Sequence, residues 1–538
     1  MTSLLPPSGT DEDQQSSAAP PGQDAERATA GGGLGGVGLL TRHRFLGLWV
    51  GTGAALGLVF VLAKGANPLL ALGAGAGAAL VYAAVIKPTV ALVLLLVVEW
   101  SNLSDVVGYH SGLSLYLIVL ALAVVSLALA VRPQRAVILP RSPLYLLLFL
   151  AVAANGLSLA ASRYPIASLS LPLQRLKDLG FLFAALGLMQ LTGRWGTALR
   201  TVVITVAVLA GLSLVQEFLL HNSTTFGGLE TVPHTVQIGG LTARHNGPQG
   251  DPNFWGRTIV LATPPALALF SISLRDRSWS RAGMWLMAIL LLLGGEYLTQ
   301  SRGDLLAMLL LLVLWTVVVG RRHRRRLILL PVAILLLFMV VPGLSSRLGS
   351  LTQLSHVSSA RTDLSLVGRV QAQKVGLAMF KSDPITGVGL GEFQAVEPAF
   401  LTAAGQQNTG VTVDPHDLYL ELAAEEGIVG LGAWTLFFGG ALLVSLRAAL
   451  LARRIGADND SLLAMSCLIG LVGWATASVV LHMNFFGDLL AVMAIAVVID
   501  SHVRSRARSE LTEDVGPGVG AGRSRGRWGV IAAAHRKK

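Results

Sequence analysis

A single cysteine, Cys467, in 538 residues leaves no internal disulfide and no thiolate metal cluster to consider. It lies inside an apolar run, so cysteine usage does not settle the redox compartment. Charge is also scarce. Asp, Glu, Lys and Arg make up 13% of the chain against 53% hydrophobic residues, which excludes an ordinary soluble domain and describes an all-α, polytopic integral membrane protein. Acidic residues are fewer than basic ones, 30 against 41. An excess of that size can mark a nucleic-acid binder, but the arginines lie in short connections between apolar runs, where membrane topology puts them. Nucleic acid is therefore not an expected partner, and the lipid bilayer is. The N-terminal stretch has too little apolar content for a core and lacks a basic-then-apolar leader pattern.

What is present is a series of fourteen apolar runs, near 45–63, 67–86, 88–99, 113–131, 143–161, 178–191, 199–220, 254–273, 282–298, 303–319, 327–342, 427–446, 461–481 and 484–500. Those near 88, 178 and 327 are shorter than the roughly 20 residues a bilayer needs, so one pair is a candidate re-entrant element and about 12–14 transmembrane helices are expected. Basic residues in alternate connections set the orientation. One set holds Lys87, Arg132, Arg135, Arg141, Arg194, Arg200, Arg275, Arg277, Arg281, a basic run over 321–326, Arg447, Arg453 and Arg454. The opposite set holds only Lys64, Arg163, Arg175, Lys177, Arg244 and Arg302. The first set is expected to be cytoplasmic, with both termini on that side of a bacterial inner membrane. The expected organisation is a disordered cytoplasmic tail over 1–41, an N-terminal transmembrane bundle over 42–342, one large external loop over 343–426, C-terminal transmembrane helices over 427–500, and a basic, disordered cytoplasmic tail over 501–538.

In that orientation Glu217, Arg257, Glu296, Arg302, Asp304, His482 and Asp488 all fall toward the external ends of their helices, and the inner halves are nearly free of charge. A charge at the bilayer centre costs about 2.5–3.5 kcal/mol on insertion scales, so such groups face water, partners or substrate. A carrier or flippase for a lipid-linked or small solute would more often hold its polar groups near the midplane, on interrupted helices in two related halves. That class is the alternative reading.

Four elements then occur in order. Arg244 and Gly247 precede Asp251-Pro252-Asn253; Thr299-Gln300-Ser301-Arg302-Gly303 opens a later span; Gly368-Arg369 leads to a turn with Pro384, Gly387, Gly389 and Phe393; and His416-Asp417-Leu418-Tyr419-Leu420 runs into a span with Gly427 and Gly430. Together with the topology they resemble the O-antigen ligase and O-antigen polymerase superfamily of bacterial membrane glycosyltransferases, most strongly over residues 240–440. One departure is Asp417, where the family usually has asparagine. The resemblance implies transfer of a glycan from a polyprenyl-diphosphate-linked donor to a glycan, lipid or protein hydroxyl acceptor at the outer membrane face, without cofactor, nucleotide sugar or metal. It implies catalytic roles for His416, Arg302 and Arg244 and substrate contacts for Arg369, Asn253, Asp417 and Tyr419. Polymerase, ligase and protein O-glycosylating transferase share this donor chemistry and are not separated by it.

The residue chemistry agrees with those roles. Breaking a bond between sugar and diphosphate leaves negative charge at headgroup level, and the planar guanidinium fork pairs with phosphate oxygens at two points while staying protonated. Arg244, Arg302 and Arg369 suit it; lipid-phosphate contacts, or ion pairs with Asp251, Glu296 or Asp304, are the structural alternatives. His416 is the favoured general base. His234, His245, His356, Glu392, Glu397 and Asp417 compete for that role. The context Asp414-Pro415-His416 predicts a helix start with Asp414 as N-cap, and Asp251-Pro252 predicts the same for the following span. The Gly387, Gly389 and Gly391 spacing reads as a tight turn rather than a phosphate cradle, because no strand-to-helix pattern surrounds it.

Overall fold

The computed structural model describes residues 68–131, 139–162, 164, 170–232, 244–319, 364–406, 415–483 and 487–513. The expected spans at 45–63 and 327–342, the N-terminal tail, the residues after 513, the basic run 321–326, Asp414, Arg163, His234 and His356 lie outside them. Among the described residues there is no strand, and twelve of the fourteen apolar runs coincide with helices. Six of these are long and apolar enough to cross a membrane, or seven if a bent pair is one span.

Helix α1 (Pro68–Ile86) is a 19-residue Ala- and Gly-rich helix in a unit of its own. The second unit begins with α2 (Pro88–Trp100) and α3 (Leu103–Ser111), which bend by 75° at a two-residue break. Asn102 causes the bend by adopting φ 46°, and its side-chain amide donates to the Pro248 carbonyl at 3.0 Å. Of the three short runs, the one near 88 is thus bent together with a helix that no apolar run marked, the one near 178 lies in a single unbroken helix, and the one near 327 lies outside the described residues. Then come α4 (Leu115–Ala130), α5 (Leu144–Ala161), α6 (Ser170–Thr192) and α7 (Trp195–Phe218). α6 starts earlier than its apolar run because Gln174, Arg175, Lys177 and Asp178 are helical too, which lengthens it to 23 residues.

The central helix is α8 (Pro252–Arg275), buried along most of its length and packed on α7, α9 (Trp279–Thr299), α10 (Arg302–Val319) and α14 (Asp458–Ala477). As expected, Asp251 caps it, accepting from the backbone N–H of Asn253 at 2.7 Å and of Phe254 at 3.4 Å, with Pro252 in the first turn. Pro264 and Pro265 remove two N–H donors from its middle. Gly470 of α14 meets this stretch, and a Cβ there would lie 3.1 Å from the Leu261 carbonyl oxygen. Small residues thus let two backbones approach closely, the usual basis of helix packing in a membrane.

A polar segment forms α11 (Leu364–Ser382) and α12 (Phe393–Phe400), which pack on α13 (Leu418–Arg454). α13 is broken at Gly427, with φ 64° and ψ −165°. The Pro384–Phe393 turn docks into this break by main-chain bonds: Val388 N–H to Ala424 O at 2.9 Å, Gly389 N–H to Glu425 O at 3.1 Å, and Ile428 N–H to Pro384 O at 2.9 Å. A Cβ on Gly387 would sit 2.2 Å from the Glu425 carbonyl carbon, and one on Gly427 would sit 2.3 Å from the Ile385 oxygen. The Glu425 carboxylate takes the Gly391 and Phe393 N–H groups at 2.9 and 3.0 Å. The glycine run is therefore a tight turn, and its backbone donors are already occupied.

α15 (Gly487–Glu513) passes the expected boundary at 500 and stays helical for thirteen more residues. Ion pairs hold that extension: Arg504 with Asp500 at 2.8 Å and Arg506 with Asp460 at 3.1 Å, next to Arg447 with Asp500 at 2.6 Å and Arg275 with Asp458 at 2.7 Å. α8 has 24 residues, about 36 Å at 1.5 Å per residue, so this basic end is opposite the end holding Asp251, the α9–α10 turn and the α13 start.

Gly427→Ala should cost about 1–3 kcal/mol in backbone strain alone, and more through the clash with Ile385. A clear fall in melting temperature by fluorescence-detected gel filtration is expected. Gly432→Ala, a few residues on in open space, should leave it unchanged.

Candidate active site

The first two residues of the site are set by the α8 cap. Asn253 donates its side-chain amide to Asp251 Oδ1 at 3.0 Å and accepts from Arg244 Nη2 at 3.1 Å. Arg244 Nε donates to the Thr299 carbonyl at 3.1 Å, and His245 N–H donates to the Leu298 carbonyl at 3.0 Å. The loop before α8 is thereby fastened to the α9–α10 turn, where Gln300 takes φ 53° and Arg302 is the first helical residue. The next residue, Gly303, lies against Val480, since a Cβ on it would fall 2.1 Å from Val480 Cγ2. That contact brings the start of α10 to the segment that follows α14, at a residue two positions before His482 in the chain. Asp304, two residues after Arg302, is buried against the bare Cα of Gly256.

His416 comes to the same place from the other side. It is half-buried in left-handed backbone at φ 47°, with its ring edge-to-face on His482 at 5.5 Å. His482 in turn lies edge-to-face on Phe254 at 5.2 Å. The left-handed residue interrupts the helix start expected from Asp414-Pro415. The N-cap of α13 is instead Asp417, whose Oδ1 accepts from Tyr419 N–H at 3.0 Å and Leu420 N–H at 3.1 Å. This accounts for the departure from asparagine, because aspartate and asparagine cap equally well. Burial pushes the Asp417 carboxyl above the ordinary carboxylate range, against the two N–H groups that pull it down. Tyr419 turns toward α14, its hydroxyl donating to the Ala475 carbonyl at 2.9 Å and its ring against Trp434.

Arg369 lies half-buried on α11, two turns before Gly376. Gly376 in turn faces Leu420 and Phe393. Among the rival bases, His245 is fully buried, with Nδ1 2.9 Å from Glu230 and Nε2 3.1 Å from Glu217, so both ring nitrogens are engaged. Glu392 accepts from the Ser162 hydroxyl and from Tyr164 N–H at 2.6 Å, binding the glycine turn to the end of α5.

Arg257 is the residue that sequence reasoning did not place in the site. It is 2% exposed, with its guanidinium 4.6 Å over the Trp474 ring and 5.2 Å over Phe254, and Nη1 donates to Ser478 Oγ and the His482 carbonyl, both at 3.1 Å. It clamps the segment that carries His482, and Glu421 accepts the Met483 N–H there at 2.7 Å. The signal was present in the sequence: Arg257 is one helical turn after Asn253 and shares its face. Among the described residues no group of histidine, cysteine and carboxylate side chains could hold a metal ion.

These features describe a multi-pass all-α membrane protein with a polar site at the end of the bundle opposite its basic end. Residues 283–435 match the O-antigen ligase family model, and over that stretch the chain is similar to that family. The match takes in Arg302, Arg369, His416, Asp417 and Tyr419, while Arg244, Asn253, Arg257 and His482 lie outside it. No curated protein matches the chain.

Two outcomes test the local chemistry. Asp417→Asn should keep the cap and the melting temperature, whereas Asp417→Ala should lose about 0.5–2 kcal/mol; loss of glycan transfer in a stable Asn variant would make the carboxylate a chemical participant. For His245, burial opposes the imidazolium, but the hydrogen bonds and charges of Glu230 and Glu217 outweigh it and raise the pKa above its ordinary 6.5. Stability from this group is thus complete below pH 6.5 and disappears as pH rises through the raised value. A melting-temperature profile against pH should flatten over that window in His245→Gln.

Proposed function

We propose that the chain is a membrane glycosyltransferase of the O-antigen ligase and polymerase type, which moves a glycan from a polyprenyl-diphosphate carrier to an acceptor hydroxyl at the outer face of the bacterial cytoplasmic membrane. The observation that carries this reading is the convergence of Arg244 and the Arg302 helix start with the His416–His482 pair at one bundle end, with Arg302 and His416 inside the family match. The gathering of Arg141, Arg275, Arg447, Arg504 and Arg506 at the other end supports cytoplasmic termini and an external site.

In the reaction the acceptor oxygen attacks the anomeric carbon and its proton passes to the His416 imidazole. The new C–O bond forms as the bond from the anomeric carbon to the diphosphate oxygen breaks, and the electron pair leaves with the lipid diphosphate. Arg244 and Arg302 are fixed cations for that developing charge, already oriented and needing no reorganisation as it appears. Arg369 on α11 adds a third cation toward the glycan side. Asn253 holds Arg244 in place, while Asp417 and Tyr419 position His416 through the start of α13.

The reading is tested by surface glycan analysis at matched protein level. His416→Ala should lower transfer about 10²–10⁴-fold with normal folding. Arg302→Ala should weaken binding of undecaprenyl diphosphate roughly ten- to a hundredfold. Unchanged glycan together with impaired export of a lipid-linked solute would favour the carrier class instead.

A further inference from the structure

The segment 478–483 follows α14, leaving it by a 3₁₀ turn over Ser478–Val480 and an extended Leu481. Three other helices grip it. From α8, Arg257 Nη1 donates to Ser478 Oγ and the His482 carbonyl, both at 3.1 Å, and lies 3.5 Å from the Met483 carbonyl oxygen. From α13, Glu421 accepts the Met483 N–H at 2.7 Å, and from α10, Gly303 lies against Val480. Met483 itself takes left-handed backbone at φ 69°. A residue with a side chain holds that conformation only where its surroundings impose it, and such positions gather at functional sites.

The imidazole of His482 is what this grip presents. Its ring stands edge-to-face with two others, Phe254 at 5.2 Å and His416 at 5.5 Å, with planes 66° and 83° apart. The Arg257 guanidinium lies 5.2 Å over the Phe254 ring, so a file runs from the buried arginine through Phe254 and His482 to His416. Edge-to-face pairs are arrangements that ring quadrupoles favour, and each ring limits the rotation of its neighbour. His416 needs that support. It sits in left-handed backbone at φ 47°, one residue before the Asp417 N-cap, so α13 begins only after it. Phe254 and Arg257, by contrast, belong to α8, which is buried along most of its length. The file carries the rigidity of α8 to a side chain that its own helix does not reach.

We propose that His482 is a positioning residue of the transfer site, whose ring sets the His416 imidazole in line with the acceptor hydroxyl. It acts as a flat ring and takes no proton itself. The proposal rests on the glycosyl-transfer reading above and deepens it, giving the general base a partner outside the stretch 283–435 that matches the family model.

The test uses the full chain, with surface glycan at matched protein level as the measure of transfer. Undecaprenyl-diphosphate binding and melting temperature are measured on the same variants in lipid nanodiscs. His482→Leu fills the space without a ring edge. It should lower transfer roughly ten- to a hundredfold, the effect of slightly misplacing a reacting group, with undecaprenyl-diphosphate affinity within about twofold of the unaltered chain and melting temperature kept. His482→Phe returns the ring without a titratable nitrogen and should bring transfer back to within about threefold. Normal transfer in His482→Leu would overturn the proposal, and so would equal losses in the two variants, which would point to the imidazole nitrogens instead of the ring. A loss in His482→Leu matched by a fall in affinity and melting temperature would also overturn it, leaving His482 a packing residue. Unchanged transfer in His416→Ala would instead overturn the glycosyl-transfer reading, and the role of His482 with it.

Discussion

The close main-chain contact between the Pro384–Phe393 turn and the break in α13 at Gly427 is the constraint on which the site depends. Neither Gly387 nor Gly427 has room for a methyl group, and both have backbone angles that favour glycine. The contact sets the direction in which α13 leaves its break toward the site, and so places Asp417, Tyr419 and His416 at its head. The Glu425 carboxylate, accepting two N–H groups of the turn, and Glu392, bound to the end of α5, extend the same fixture to a third element. A glycine pattern that elsewhere surrounds phosphate here shapes a joint between two pieces of backbone.

A second fixture works from the opposite side. Arg257 lies between aromatic rings and holds the 478–483 segment by its backbone and a serine hydroxyl, which sets where the His482 ring meets His416. A buried guanidinium is costly unless its donors are satisfied. On this enclosed helix Nη1 is met by the Ser478 hydroxyl and the His482 carbonyl, and the Trp474 face lies over the guanidinium. Arg244 and Arg302, by contrast, are half-buried. The burial of one cation and the partial exposure of the other two suit a division between a structural clamp and groups able to meet a lipid-linked anion.

Much of this was legible from local pattern. Asp251-Pro252 as a cap and first turn, and Gly387 to Gly391 as a tight turn, each rest on backbone chemistry within a few residues. The helix start at 414–416 was misread for the same reason: Asp414-Pro415 has a capping pattern, but left-handed backbone at His416 delays the helix, and Asp417 takes the cap. For Tyr419, which the motif implies for substrate contact, nothing local marks the bond its hydroxyl makes to a carbonyl 56 residues away. Arg257 and His482 were noted as outer-end charges but not joined, since they are 225 residues apart and nothing local links them.

The residue order alone determined that this is a helical membrane protein and where most of its helix-forming apolar runs lie, because hydropathy, capping and charge placement act over one or two helical turns. Tertiary structure decided which ring nitrogens, carboxylates and guanidinium groups are already engaged. His245 loses its candidacy as a base only when Glu217 and Glu230 close on it, and the His482 ring meets His416 only where Arg257, Glu421 and Gly303 hold the segment that carries it. Such assignments depend on contacts between segments far apart in the chain, whose geometry is set by packing and backbone approach rather than by spacing along it.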